Sequence, residues 1–271
     1  MAPFNLAVAA SMLNVLNDMK AAIATACGVA VTDINIIADS SGALADQITA
    51  GTIKPDIFLP VSDLTQPPML AVSGAGLVAS SVPVVRNNLV LIKNRQYGLP
   101  VPIDSFGNVD AVHTGGVRIF IADPAGTAKV PAGQFARSAF QYFGSAIWTW
   151  ISTLGNATIS TMNNVTTVLR SVAGVITPPG EASPVSGPAI GAVYATDASS
   201  FDIMTPPVSP NPVEIIAVAP CAVNCTISYT AAQINTGANQ TAAGLFLTFI
   251  TSPTAWAYFL KWGFIPLNAM P

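Results

Sequence analysis

The sequence predicts an α/β fold built on a largely parallel sheet, and three observations predict it. Short apolar runs alternate with stretches of helical periodicity. Where an apolar run ends, a small or hydroxyl-bearing residue opens the next helix. The 271 residues suffice for two modest α/β domains or one large one.

The elements follow in order. NLAVA predicts a strand over 5–9, and Ser11 then precedes a helical pattern over 12–26. INIIA is rich in β-branched residues and reads as a strand over 34–38. Ser40, Ser41 and Gly42 follow it, and ALADQITA predicts a helix over 43–50. Apolar runs give strands over 57–60, 88–93 and 117–122. Pro131 pre-sets the backbone for a helix over 133–143. Helices over 146–153 and 165–172 are expected next, the second opened by Asn164. Strands over 192–194 and 214–218 and helices over 242–250 and 253–262 complete the pattern. Proline-rich stretches over 177–188 and 205–212 are loops by composition, and the second reads as a crossing between lobes.

Only 8% of the residues are charged, against roughly 25% in an ordinary soluble domain. The surface must therefore draw on Ser, Thr, Asn and Gln. A charge this low suits an acidic medium, because few carboxylates means little change in charge as pH falls. A net charge of −3 and ten scattered Lys and Arg argue against a nucleic-acid partner. The mean hydropathy of +0.56 raises the question of a membrane span. Residues 242–260 carry no charge, but Thr248, Thr251, Ser252 and Pro253 interrupt them, so two short helices fit better than a span. The opening MAPFNLAVAAS has no basic n-region, so no signal peptide is read there. Cys221 and Cys225 flank AVN; they either close a small disulfide loop or are unrelated small apolar residues. With Cys27 and His113, they lack the paired spacing of a zinc site.

Four junctions carry the chemistry: Ser11 after AVAA, Ser41 after IADS, Ala132 and Gly133 after KVP, and Asn164 with Val165. In a parallel sheet all strand C-termini point one way, and ligands bind outside those ends. Several helix N-termini, each with unpaired N–H groups, could therefore converge on one small anion. A serine at such a place is also a common cap. Neutral donors suit a fully deprotonated dianion; Asp39, beside Ser40, would instead accept a proton or turn away.

The motifs AASMLNVL, SSGALADQITAGTIKPDIFLPVSD, VRNNLVLI, IADPAGTAKVPAGQFA, GAVYATDA and SPTAWAYFLKWGF follow one another in this order and span nearly the whole chain. Their order resembles that of the periplasmic molybdate-binding proteins of ABC importers. The resemblance implies a two-lobed periplasmic binding protein fold of type II. Each lobe would be a sheet flanked by helices, with the ligand in the cleft between the lobes. Lobe one would hold residues 1–86 and 214–271, and lobe two residues 87–213. The resemblance further implies an oxyanion gripped by Ser11, Ser41, the backbone of Ala132 and Val165, and Tyr194. It implies no basic side chain, no directly bound metal and no cofactor. The expected function is capture of molybdate or tungstate for an ABC permease by a monomer secreted to the periplasm or another extracytoplasmic space. Molybdate and tungstate are nearly the same size and both larger than sulfate, so cavity size would set selectivity.

The alternatives are a binder of another small oxyanion, a secreted surface protein without a transport role, and an enzyme. The enzyme reading is the poorer one, because His113 has no Ser or Cys partner at recognisable spacing.

Overall fold

The computed structural model describes residues 2–112, 116–124, 130–144, 148–149, 159–162, 165–178, 182–203 and 211–267. The chain divides into two compact units, Met1–Arg86 with Ile227–Pro271, and Asn87–Thr226.

The first unit begins with β1 (Phe4–Ala9), α1 (Leu13–Asp18), α2 (Lys20–Cys27), β2 (Ile34–Asp39) and α3 (Ser41–Thr49). It continues through β3 (Ile57–Leu59), α4 (Pro67–Gly74) and β4 (Val78–Arg86). The chain then builds the second unit from β5 (Leu89–Asn94), β6 (Arg118–Ala122), α5 (Pro131–Phe143), β7 (Ile159–Met162) and α6 (Val165–Val172). That unit closes with β8 (Ala189–Tyr194), α7 (Ala195–Ile203), β9 (Val213–Val218) and α8 (Cys221–Asn224). The chain returns to the first unit with β10 (Ser228–Ile234), α9 (Gln240–Ile250), α10 (Pro253–Lys261) and β11 (Ile265–Pro266).

Both sheets are mixed. The first has the order β11-β4-β10-β3-β1-β2, and the second β7-β6-β8-β5-β9. The parallel pairing expected from the sequence holds for β1, β2 and β3 and for β6, β7 and β8; β4, β5, β9, β10 and β11 add antiparallel neighbours. Period-two alternation along β1 sends Ala7 and Phe4 to opposite faces. Ala7 packs with Leu44 and Ile48 of α3 and Met69 and Val72 of α4. Phe4 meets Phe246 of α9 edge-on, with ring centroids 6.1 Å apart. Each face of the first sheet is thus covered by helices. In the second unit the rings of Phe106 and Phe140 meet at a tilt with centroids 5.2 Å apart, and Phe120 of β6 is fully buried.

The structure corrects several boundaries. The helix expected over 12–26 is a 3-10 turn, then α1 and α2 parted at Met19. The break follows Asp18, whose carboxylate accepts hydrogen bonds from Lys261 Nζ at 2.7 Å and Trp262 Nε1 at 2.9 Å. The return to lobe one was expected at 212–214. Instead β9 pairs with β5 from Asn94↔Val213 to Val90↔Val218, so residues 214–226 pack with the second unit. Asn224 fastens that pairing: its Oδ1 accepts from the Leu89 amide and its Nδ2 donates to the Ala219 carbonyl, both at 2.8 Å. Cys221 and Cys225 form a disulfide across α8, which decides between the two readings of that pair. Most of the helix expected over 146–153, most of the crossing at 205–212, and His113 lie outside the described residues.

Among the described residues no single helix is long and apolar enough to cross a membrane. The uncharged stretch near the C-terminus is α9 and α10, bent by 67°. Ser252 caps α10 by accepting the Ala255 amide, and Pro253 opens it.

Candidate functional site

In the first unit the parallel strands β1, β2 and β3 end along one edge of the sheet. Register pairs Ala9 with Asp39 and Val8 with Leu59. Ser11 lies in the 3-10 turn that follows β1. Ser40 and Ser41 follow β2, and they divide the labour. Ser40 is the N-cap of α3, its Oγ accepting the Ala43 amide at 3.2 Å. Ser41 is the first helical residue and only 1% exposed. Its Oγ accepts the Val61 amide at 2.9 Å, which ties the start of α3 to the end of β3. A hydroxyl that accepts in this way keeps its own hydrogen to donate. Asp39 is exposed and its Oδ1 accepts the Ser40 amide at 2.7 Å, so the carboxylate is turned onto its own turn.

In the second unit β6, β7 and β8 also end along one edge. Ala122 pairs with Met162, and Phe120 with Gly191, so extending the register sets Tyr194 level with Asp123. The N-terminus of α5 sits directly on the end of β6: a Cβ on Gly133 would stand 2.3 Å from the Ala122 carbonyl oxygen. Val130 provides no side-chain cap there, and Pro131 has no N–H. The Ala132 amide is therefore the first donor at that helix start, and helix geometry leaves it without an intrahelical acceptor. Val165 opens α6 three residues after the end of β7, with a buried side chain. Asn164 lies outside the described residues. Tyr194 is the last residue of β8, with its hydroxyl enclosed.

The structure thus groups Ser11 with Ser41 at one strand edge, and Ala132, Val165 and Tyr194 at another. Among these five there is no charged side chain. The nearest acid in sequence to Tyr194 is Asp197, in the first turn of α7. Burial pushes its carboxyl up to about 7. Among the described residues no group of three or more His, Cys, Asp or Glu could hold a metal ion.

Sequence reasoning missed Tyr229. It is fully buried on β10, and its hydroxyl lies 2.9 Å from Ser11 Oγ. The run SYTAAQI is mostly small and polar, so neither a strand nor a special tyrosine stood out in it.

A family model described as bacterial extracellular solute-binding protein matches residues 4–265. No curated protein matches the sequence. Among solved structures, the periplasmic molybdate-binding protein of Azotobacter vinelandii superposes with a TM-score of 0.71 at 18% identity, covering 99% of both chains. The sulfate-binding protein of Mycobacterium tuberculosis gives 0.68 at 15% identity, covering 99% of this chain and 88% of that one. A tungstate-binding protein from Desulfovibrio alaskensis G20 gives 0.59 at 13% identity, covering 98% of this chain and 99% of that one. At such identities these likenesses speak for the fold: two mixed sheets flanked by helices, in a two-lobed α/β architecture.

Proposed function

Because the chain belongs to the bacterial extracellular solute-binding protein family, we propose that it captures molybdate or tungstate for an ABC importer. The family consists of transport proteins rather than enzymes, and its members carry no cofactor. It works outside the cytoplasm and delivers its ligand to a membrane permease. In this reading Ser11, Ser41, the amides of Ala132 and Val165, and Tyr194 are the donors. Each unit supplies part of the set.

One observation carries the proposal. In each unit three parallel strands end on one edge, and the candidate donors stand at those ends. The donors are neutral, which suits a dianion that has no proton of its own to give.

Isothermal titration of the wild type and Ser41→Ala with molybdate, tungstate and sulfate tests this. The expected result is tight binding of the first two, none of sulfate, and a roughly ten- to hundredfold loss in the variant. Sulfate alone binding would move the ligand to a smaller oxyanion. No heat and no ligand-induced thermal shift with any of the three would favour a surface protein without a transport role.

A further inference from the structure

Tyr229 connects the two serines of the first unit. Its hydroxyl lies 2.9 Å from Ser11 Oγ. Its backbone bridges Val61 and Ser62, and the Val61 amide donates to Ser41 Oγ at 2.9 Å. Its ring is fully buried and held edge-on by Phe264, with centroids 5.4 Å apart. A buried phenol must place its hydrogen on an acceptor. Ser11 is half-buried, and its oxygen is such an acceptor.

Resting on the oxyanion reading above, we propose that Tyr229 is the positioning residue of the serine pair. Its phenol donates to Ser11 Oγ, and its main-chain pairing steadies the Val61 amide that donates to Ser41. A serine hydroxyl has one hydrogen and two lone pairs. Once a neighbour's hydrogen occupies a lone pair, the serine's own hydrogen must turn elsewhere. A phenol is the better donor of the two hydroxyls, because it is the more acidic. Tyr229 therefore turns Ser11 from a free rotor into a fixed donor, and the same arrangement at Ser41 fixes the second. Both serines then aim their hydrogens away from these partners, which suits an anion that has no proton of its own to donate.

The test is a double-mutant cycle read by titration with sodium molybdate. Tyr229→Phe keeps the ring, its contact with Phe264 and the backbone, and removes only the hydroxyl. It should weaken molybdate binding about tenfold, the worth of one well-aimed hydrogen bond. Ser11→Ala should weaken binding by ten- to hundredfold, and the double variant should bind no more weakly than Ser11→Ala alone. Losses that multiply in the double variant would mean that Tyr229 acts through general structure, and that overturns the inference. So does a Tyr229→Phe protein that binds within twofold of the wild type, while leaving the oxyanion reading intact. A wild type that binds none of molybdate, tungstate or sulfate removes both.

Discussion

Gly133 shows how one hydrogen in place of a methyl group sets a site. A Cβ there would press on the Ala122 carbonyl at 2.3 Å and on the Asp123 backbone at 2.8 Å. Gly133→Ala should therefore lift the start of α5 off β6, costing about 1–3 kcal/mol of stability. It should also weaken anion binding, since the Ala132 amide moves with the helix; thermal melts and titration read the two effects separately. Asp56, fully buried at the other end of β3, accepts the Asn5 amide at 2.8 Å and Asn239 Nδ2 at 3.1 Å. It also accepts the Asn239 amide, which joins the starts of β1 and α9. Asp56→Ala strands these donors, and a urea titration should show a loss on the order of 3 kcal/mol. At this scale the N-cap position and the one after it have different geometry, and Ser40 takes the first of them. Sequence reasoning could not find Tyr229, because its partner is 218 residues away and nothing local marks the contact.

Among elements, the legible ones were those whose local pattern agrees with their final place. β1, β2, β5, β6 and β9 are apolar runs of strand length. α3 and α5 carry a cap or a proline at their starts. β4 was illegible because Ser80, Ser81 and Pro83 all disfavour strands, yet β10 and β11 pair with it on both sides. β10 owes its state to those neighbours rather than to its own alanines. The α8 turn shows the same dependence. Its disulfide closes a short loop, worth about 2 kcal/mol by chain entropy, and holds the turn that presents Asn224 to Leu89 and Ala219. Replacing both cysteines with serine should lower the melting temperature by several degrees. Hydrogen exchange at the Leu89 amide should speed up more than at the centre of β6. Equal protection at both would mean that Asn224 holds its place unaided.

For the whole molecule, the scarcity of charge leaves few groups able to set the pH dependence of stability. Asp197 is one: its carboxyl titrates near 7 when folded, against an ordinary value of 3.8. Between those values the folded state binds a proton that the unfolded chain releases, so stability falls as pH rises from about 4 to 7. Asp18 acts oppositely. Burial alone would raise its carboxyl, but hydrogen bonds from Lys261 and Trp262 hold it below 3.8, so its contribution disappears only below that pH. The melting temperature should therefore be highest in mild acid. Asp197→Asn should flatten the slope between pH 4 and 7, and a slope left unchanged would exclude Asp197 as its source. The two-lobed fold was legible at this scale from the order of motifs along the chain. The return boundary was not, because the β5–β9 pairing joins residues more than a hundred positions apart.

The position of β10 has a consequence for biosynthesis. It lies between β3 and β4, yet it is made only after the whole of the second unit. While the ribosome works through residues 87–226, at roughly 5–20 residues per second, β4 has neither of its sheet partners. For on the order of ten seconds the leading 86 residues hold a three-strand fragment and an unpaired strand. Ser11 meanwhile lacks the tyrosine it touches in the finished protein. The second unit, one continuous stretch, has every strand it needs before the first unit does. The unit that begins the chain is thus the last to be completed.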